Sequence, residues 1–149
     1  MFTYTIYNSN LKPGEREKEE VVNFLHAHLD QYGDSKTAIL KCLEFATHES
    51  IPSLGGFVLL LKEKGETKGI TIVNKTGMSD YIPENILVYI AVHKEARGQG
   101  IGKKIMEKAM EIAEGDMALH VEKDNPAKKL YERLGFEAKY VEMRYKKSF

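Results

Sequence analysis

Three glycines at alternate positions, Gly98, Gly100 and Gly102, stand between the apolar stretch Val88-Tyr-Ile-Ala-Val92 and the lysine pair Lys103-Lys104. Inside a helix each glycine costs about 1 kcal/mol against alanine, so helix propensity does not account for them. What they allow is positive φ and close approach of the backbone to another group. The stretch reads as a buried strand, a glycine-rich turn and an amphipathic helix. The unpaired N–H groups of a helix's first turn, at the positive end of its dipole, form an anion site, and Lys103 and Lys104 add positive charge. The implied chemistry is the binding of a phosphate-bearing ligand. The alternative is a tight strand-to-helix connection and nothing more.

Two common phosphate loops do not fit. A P-loop places four residues between its glycines and follows the second with Lys-Ser/Thr, whose hydroxyl holds a magnesium ion. Here only three residues separate Gly98 from Gly102, and Lys103 is followed by Lys104. The dinucleotide fingerprint Gly-x-Gly-x-x-Gly needs its third glycine one position later than Gly102, and a further acidic residue at the end of the next strand.

The segment Arg97-Gly-Gln-Gly100-Ile-Gly102 has the pattern Arg/Gln-x-x-Gly-x-Gly/Ala and follows Val92-His-Lys-Glu95. Further along comes His120-Val-Glu-Lys-Asp-Asn-Pro-Ala-Lys-Lys-Leu-Tyr-Glu-Arg-Leu-Gly-Phe136, a strand end, an Asn and a helix carrying Leu-Tyr-Glu-x-Leu-Gly-Phe. Together, and in this order, the two blocks resemble the acyl-CoA motifs of the GNAT superfamily of N-acyltransferases. The sharp resemblance covers the C-terminal half; the N-terminal half matches through element order alone.

That resemblance implies an acetyl-CoA co-substrate, no metal, and an amine acceptor that is a small molecule, an amino acid or a protein amino group. The loop Arg97, Gly98, Gln99, Gly100, Ile101, Gly102 and Lys103 would hold the pyrophosphate, and Ile90, Ala91 and Val92 the pantetheine arm. Acyl transfer needs the amine neutral, although a free alkylamine has a pKa of about 10. A base must therefore remove a proton, and a donor, which a strand N–H can supply, must stabilise the oxyanion. The resemblance makes Tyr131 the proton donor to the leaving thiolate and a contact for CoA; packing on the last helix is its other reading. Asn125 is the candidate CoA contact, though Asp124 has the family's spacing to Tyr131 and either could be a simple helix cap. The family's basic Glu would fall at Ile86, which cannot serve. Glu84 is the catalytic candidate nearest to it, His93 lies at the strand's end, and Tyr89 either orients substrate or packs. The acceptor would be lined by Asp34, Ser35 and residues 48–55 and 78–85. A non-catalytic acyl-CoA-binding or regulatory module of the same fold is the alternative, and the resemblance allows a homodimer.

Composition sets bounds. The chain has 149 residues, 42% of them hydrophobic, as expected for one domain spanning 1–149. Lys plus Arg (22) balances Asp plus Glu (22), which gives no global attraction to nucleic acid. Apolar runs such as 57–61 fall far short of the roughly 20 residues a spanning helix needs, so no membrane association is expected. The N-terminus shows no export signal, and with the lone Cys42 it suggests a cytoplasmic setting. The five histidines show no metal-ligand spacing.

Periodicity supplies the elements that must position these groups. A strand is expected over 2–7, then a helix over 15–32 with Val22, Leu25, Leu29 and Tyr32 inward and 15–20 as its solvated start. A second helix over 36–48, capped by Ser35 or Asp34, turns Ile39, Leu43 and Ala46 inward. Strands 56–62 and 68–75 make a hairpin about the turn 63–67, and 76–84 is a polar loop. Strand 86–93 and helix 100–113 flank the glycine turn, with Ile101, Ile105, Ala109 and Ile112 inward. Strand 117–121, helix 126–134 ending at Gly135, and a final strand over 136–146 complete the order β-α-α-β-β-β-α-β-α-β. This is an α/β (α+β) chain, and the resemblance makes it a mixed, mostly antiparallel sheet with helices on both faces. It also implies that 86–93 and 117–121 splay apart around the acyl-CoA arm.

Overall fold

The computed structural model describes residues 1–148. They fall into two compact units, Met1–Leu119 and His120–Phe149. The first runs β1 (Phe2–Tyr7), α1 (Glu15–His28), α2 (Lys36–Ala46), β2 (Gly56–Glu63), β3 (Glu66–Lys75), β4 (Asn85–Val92), α3 (Ile101–Ile112) and β5 (Met117–Leu119). Among the described residues the sheet has five strands in the order β1-β2-β3-β4-β5. Pairing is antiparallel from β1 to β4, and β5 joins β4 in parallel.

Helices cover both faces of this sheet. Val21, Val22 and Leu25 of α1 and Ile39, Leu43 and Ala46 of α2 pack with Val58, Leu60, Ile70, Ile72, Tyr89 and Ala91. α3 packs on the other face through Ile101, Ile105, Met106 and Ala109, all buried. Gly69 makes that contact possible, because a Cβ there would lie 2.1 Å from Ile105 Cδ1.

One irregularity in β4 decides which way its side chains point. Ile72 pairs with Tyr89 but Val73 with Leu87, so Val88 is an extra residue, a β-bulge. A strand alternates faces with period two, and the bulge shifts that phase. Leu87 is therefore turned away from the α1/α2 core, whereas Tyr89 and Ala91 join it.

Several boundaries differ from those expected. The hairpin turn is tighter, because Lys64 (φ +53°) and Gly65 (φ +79°) both take left-handed backbone and close it in two residues. α1 stops at His28 rather than Tyr32, because Asp30 takes φ +53° and a single 3₁₀ turn, Asp30–Tyr32, follows. The acidic start of α1 is not wholly solvated either. Lys18 is only 8% exposed and pairs with Glu49 at 2.8 Å, Glu44 at 3.5 Å and Glu15 at 3.5 Å. Thr47 donates its hydroxyl to Glu49, so the cluster fastens the end of α2 to the start of α1.

The second unit holds α4 (Ala127–Arg133). Pro126 occupies the N-cap, and the Asn125 side chain accepts the Ala127 N–H at 2.9 Å. Gly135 (φ +104°) ends the helix: its N–H donates to the Glu132 carbonyl and that of Phe136 to the Tyr131 carbonyl, a Schellman arrangement. The strand expected over 136–146 is not formed. Tyr140, Val141, Met143 and Tyr145 are each more than 80% exposed, and an alternating β-prone sequence becomes a strand only where a neighbouring strand accepts its backbone bonds.

Candidate active site

β4 is fully engaged at one end and open at the other. Its ladder with β5 covers only Asn85, Ile86 and Leu87, opposite Met117, Ala118 and Leu119. From Val88 to Val92 the side away from β3 has no strand partner among the described residues. The bulge at Val88 marks the change. An open strand edge presents alternating N–H and C=O groups, which an extended amide-bearing chain can pair with. Ile90 and Val92 are half-buried, and Ala91 is buried in the α1/α2 core. The His93 N–H donates to the Lys68 carbonyl across β3, so the two-residue alternation turns the Ala91 N–H and C=O to β3 as well and leaves those of Ile90 and Val92 on the open side.

The open edge runs into a 3₁₀ turn (Lys94–Ala96) and then the glycine loop. Gly98 and Gly100 have φ +80° and +77°, and a Cβ on either would meet nothing within 4 Å. Their absent side chains thus serve backbone conformation and the space above the loop, not packing. Lys104 N–H makes the first helical bond, to the Gly100 carbonyl, which leaves the amides of Ile101, Gly102 and Lys103 ahead of the ladder. The Ile101 side chain is core, 1% exposed, so its part too would be played by its amide. Arg97, Gln99 and Lys103 are exposed. Backbone amides, a helix N-terminus and neighbouring cations make a cradle suited to a pyrophosphate.

At the other end of β4 two loops meet. Lys75 N–H donates to the Gly55 carbonyl at 2.9 Å, and a Cβ on Gly77 would lie 2.5 Å from Leu54 Cδ1. Thr76 donates its hydroxyl to the Pro83 carbonyl at 2.7 Å. These tied loops nevertheless turn Ile51, Leu54, Met78, Tyr81 and Ile82 outward. Tyr89 donates its hydroxyl to Asp34 at 2.6 Å, a contact that no sequence pattern announces because it depends on the bulge. Burial, then the Asp34 partner, raises the Tyr89 pKa, so the phenol stays protonated.

The candidate proton-transfer groups differ in how far they are engaged. Glu84 Oε1 accepts the Asp116 N–H at 3.1 Å, and its carboxylate lies against Gly115, so this side chain fastens the turn into β5. His93 Nδ1 accepts the Glu95 N–H at 3.1 Å. Burial pushes the Cys42 thiol up to about 12, so it is no nucleophile at neutral pH. In the second unit, Tyr131 is 7% exposed with its ring 6.3 Å from that of Phe136, and burial pushes its hydroxyl up to about 12. It carries its proton at neutral pH. Asn125 lines a surface hollow with Lys123, Lys128 and Lys129.

Residues 54–138 match the family model described as the acetyltransferase (GNAT) domain, which includes the glycine loop and α4. The chain belongs to the GNAT acetyltransferase family. A 5-NmdU N-acetyltransferase of Pseudomonas phage PaMx11 is 34% identical over 83 residues, 54% of this chain and 57% of that protein. The match thus spans little more than half of this relative's length. A putative acetyl transferase from Pyrococcus furiosus has a similar structure at TM-score 0.59 and 29% identity, over 97% of this chain and 99% of that one. The aminoglycoside N-acetyltransferase AAC(6')-Iy in complex with CoA shares the fold at TM-score 0.67 and 17% identity, over 99% and 96% of the two chains.

Proposed function

We propose that this chain transfers the acetyl group of acetyl-CoA to a primary amine by direct attack in a ternary complex. One observation carries the proposal: β4 loses its outer ladder partner at the Val88 bulge, and its open edge leads straight to amides and left-handed glycines facing open space. An extended pantetheine arm with a pyrophosphate at its end requires an open edge followed by an anion cradle. The acetyl-CoA complement consists of the open-side backbone of Ile90 and Val92, with Ala91 between them bonded to β3, the loop Arg97, Gly98, Gln99, Gly100, Ile101, Gly102 and Lys103, and Asn125.

In the reaction the amine nitrogen forms a bond to the thioester carbonyl carbon and the C–S bond breaks. The proton lost by the amine passes to Glu84 through water, by way of Oε2, since Oε1 is held by the Asp116 amide. Tyr131 gives its proton to the departing thiolate, the role that the family resemblance assigns it. The lone cysteine, buried and protonated, speaks for direct attack rather than an acyl-cysteine intermediate. Acceptor selection falls to Asp34, Ser35 and the two tied loops, whose exposed apolar side chains suit an amine carried on an apolar or planar body.

Thiol release from acetyl-CoA, followed with a panel of amines, tests this. The panel should include small alkylamines, amino acids, peptide N-termini, aminoglycosides and 5-NmdU, the last two named for acetyltransferases that this chain resembles. At least one amine should raise the rate well above hydrolysis. CoA binding without amine-dependent release from any member would point to a non-catalytic acyl-CoA-binding module.

A further inference from the structure

The turn that carries the chain from β4 into the glycine loop does not stand free. Lys94 donates its backbone N–H to His28 Nδ1 at 3.2 Å, and its ammonium pairs with Asp30 Oδ1 at 2.8 Å. The Arg97 guanidinium donates to the His28 carbonyl at 2.8 Å, lies 3.5 Å from Asp30 Oδ2, and donates through Nε to the Val92 carbonyl at 3.4 Å. The His28 ring rests on that of His93, centroids 4.2 Å apart, and Phe24 adjoins both, at 4.6 Å from His28 and 6.1 Å from His93. Two groups at the end of α1 thus reach the backbone, ammonium and guanidinium of one short turn.

The chemistry of α1's end explains why it can do this. Its last carbonyls have no intrahelical donor and sit at the negative end of the dipole, where a guanidinium is a favourable partner. Asp30 takes left-handed backbone, which Asp tolerates better than most residues, and this places its carboxylate between the two cations.

We propose that His28 and Asp30 are positioning residues for the acyl-CoA loop: they fix the Lys94–Arg97 turn so that the amides of 98–103 are already arranged for pyrophosphate. The proposal rests on the assignment of that loop to acyl-CoA. A different role for Asp30 would be competition, its carboxylate occupying cations that a phosphate needs. The anchoring of Arg97 on a neutral backbone carbonyl and of Lys94 through its own N–H favours positioning, since neither bond is one that a phosphate replaces.

Protonation gives the clamp a pH limit. His28 must be unprotonated at Nδ1 to accept the Lys94 N–H. Burial, then coulombic repulsion from the neighbouring His93, Lys94 and Arg97 on an added proton, holds its pKa below the ordinary 6.5, with Asp30 opposing. These are the titratable and charged groups facing the ring from the end of β4, the turn, the loop and the Asp30–Tyr32 segment. The clamp is therefore intact above the His28 folded-state pKa and lost as pH falls through it.

The test is calorimetric titration of the full chain with coenzyme A. Asp30→Asn should weaken binding a few-fold, about the most that loss of an exposed ion pair can cost, while the ligand-free protein melts close to the unsubstituted one for the same reason. His28→Asn keeps an acceptor oxygen near the place of Nδ1 and should bind nearly normally, whereas His28→Leu should not. As pH falls below the ordinary histidine value of 6.5, the unsubstituted protein should lose affinity more steeply than His28→Asn; that comparison removes the effect of the ligand's own phosphate titration. With a competent amine, Asp30→Asn should raise KM for acetyl-CoA and leave kcat and the amine KM unchanged. Equal or tighter coenzyme A binding by Asp30→Asn overturns the positioning role alone. No binding by the unsubstituted protein overturns the acyl-CoA assignment and this proposal with it.

Discussion

The two ends of β4 are built on opposite principles. At the start, Asn85 is 3% exposed and its side-chain amide donates to the Glu114 carbonyl at 2.7 Å and the Asp116 carbonyl at 3.1 Å. Its own N–H donates to Asp116, and the ladder to β5 begins there. At the far end, past the Val88 bulge, the outer edge has no ladder among the described residues, and the chain passes into glycines whose missing side chains face open space. Polar groups are satisfied where the fold must be fixed and left available where a ligand can satisfy them. The bulge separates the two regimes within one strand.

The largest expected effect lies in the chemistry that this comparison leaves out. Tyr131→Phe keeps the ring and removes the hydroxyl, so kcat should fall by about 10²–10⁴-fold, typical of a lost general acid, with acetyl-CoA affinity little changed. Steady-state kinetics and a parallel titration check both halves. Activity at the unsubstituted rate would reduce Tyr131 to packing.

At the closed end, Asn85→Ala leaves the Glu114 carbonyl without its donor, while the Asp116 carbonyl keeps the Asn85 backbone N–H; one unsatisfied group costs about 1–3 kcal/mol. Denaturant unfolding should show a loss of about 1–3 kcal/mol, while the fraction still folded binds acetyl-CoA as before. A variant of normal stability, or one that lost the ligand while remaining folded, would blur the division between the two ends.

A smaller effect concerns the Lys18 cluster that supports both helices of one face. Burial alone would raise the Glu49 pKa, but hydrogen bonds from Lys18 and Thr47 and the Lys18 charge outweigh it and hold it below the ordinary 4.5. Below about pH 4.5 the unfolded chain therefore takes up a proton that the folded chain refuses, and stability falls with pH through the folded-state value. Acid unfolding of Glu49→Gln should lack this component and begin from a stability lower by about 1–3 kcal/mol at neutral pH. Parallel acid profiles for the two proteins would remove the cluster from the account.

Much of this architecture was legible in residue order. β1, the two helices of the first face, the hairpin and the strand-glycine-helix unit all follow from period, caps and breakers, and Leu25, Ile39, Leu43, Ile101 and Ile105 stand in the core as their spacing requires. What the sequence concealed depended on partners distant in the chain. Lys18 reads as one more charge in an acidic run until Glu49 comes beside it. Val88 carries no mark of a bulge, since a bulge is a mismatch between two strands, and the Tyr89–Asp34 bond depends on it. The end of α1 at His28 turned on Asp30 adopting left-handed backbone, which apolar spacing does not register. The strand expected over 136–146 failed for the converse reason: alternation shows what a strand could bury, not that a neighbour is present to accept it.

The central claim is that the open end of β4 and the glycine loop bind acetyl-CoA through backbone, and Gly100→Val tests it most directly. A β-branched side chain there projects into the space above the amides and must adopt left-handed backbone, at a cost of about 1–2 kcal/mol. Thermal melting should show the unsubstituted protein stabilised by about 2.7 kcal/mol at 100 times the Kd of acetyl-CoA. The same concentration should leave Gly100→Val, which folds but melts lower, without any shift. An undiminished shift in Gly100→Val would place acetyl-CoA elsewhere on the molecule and contradict the account.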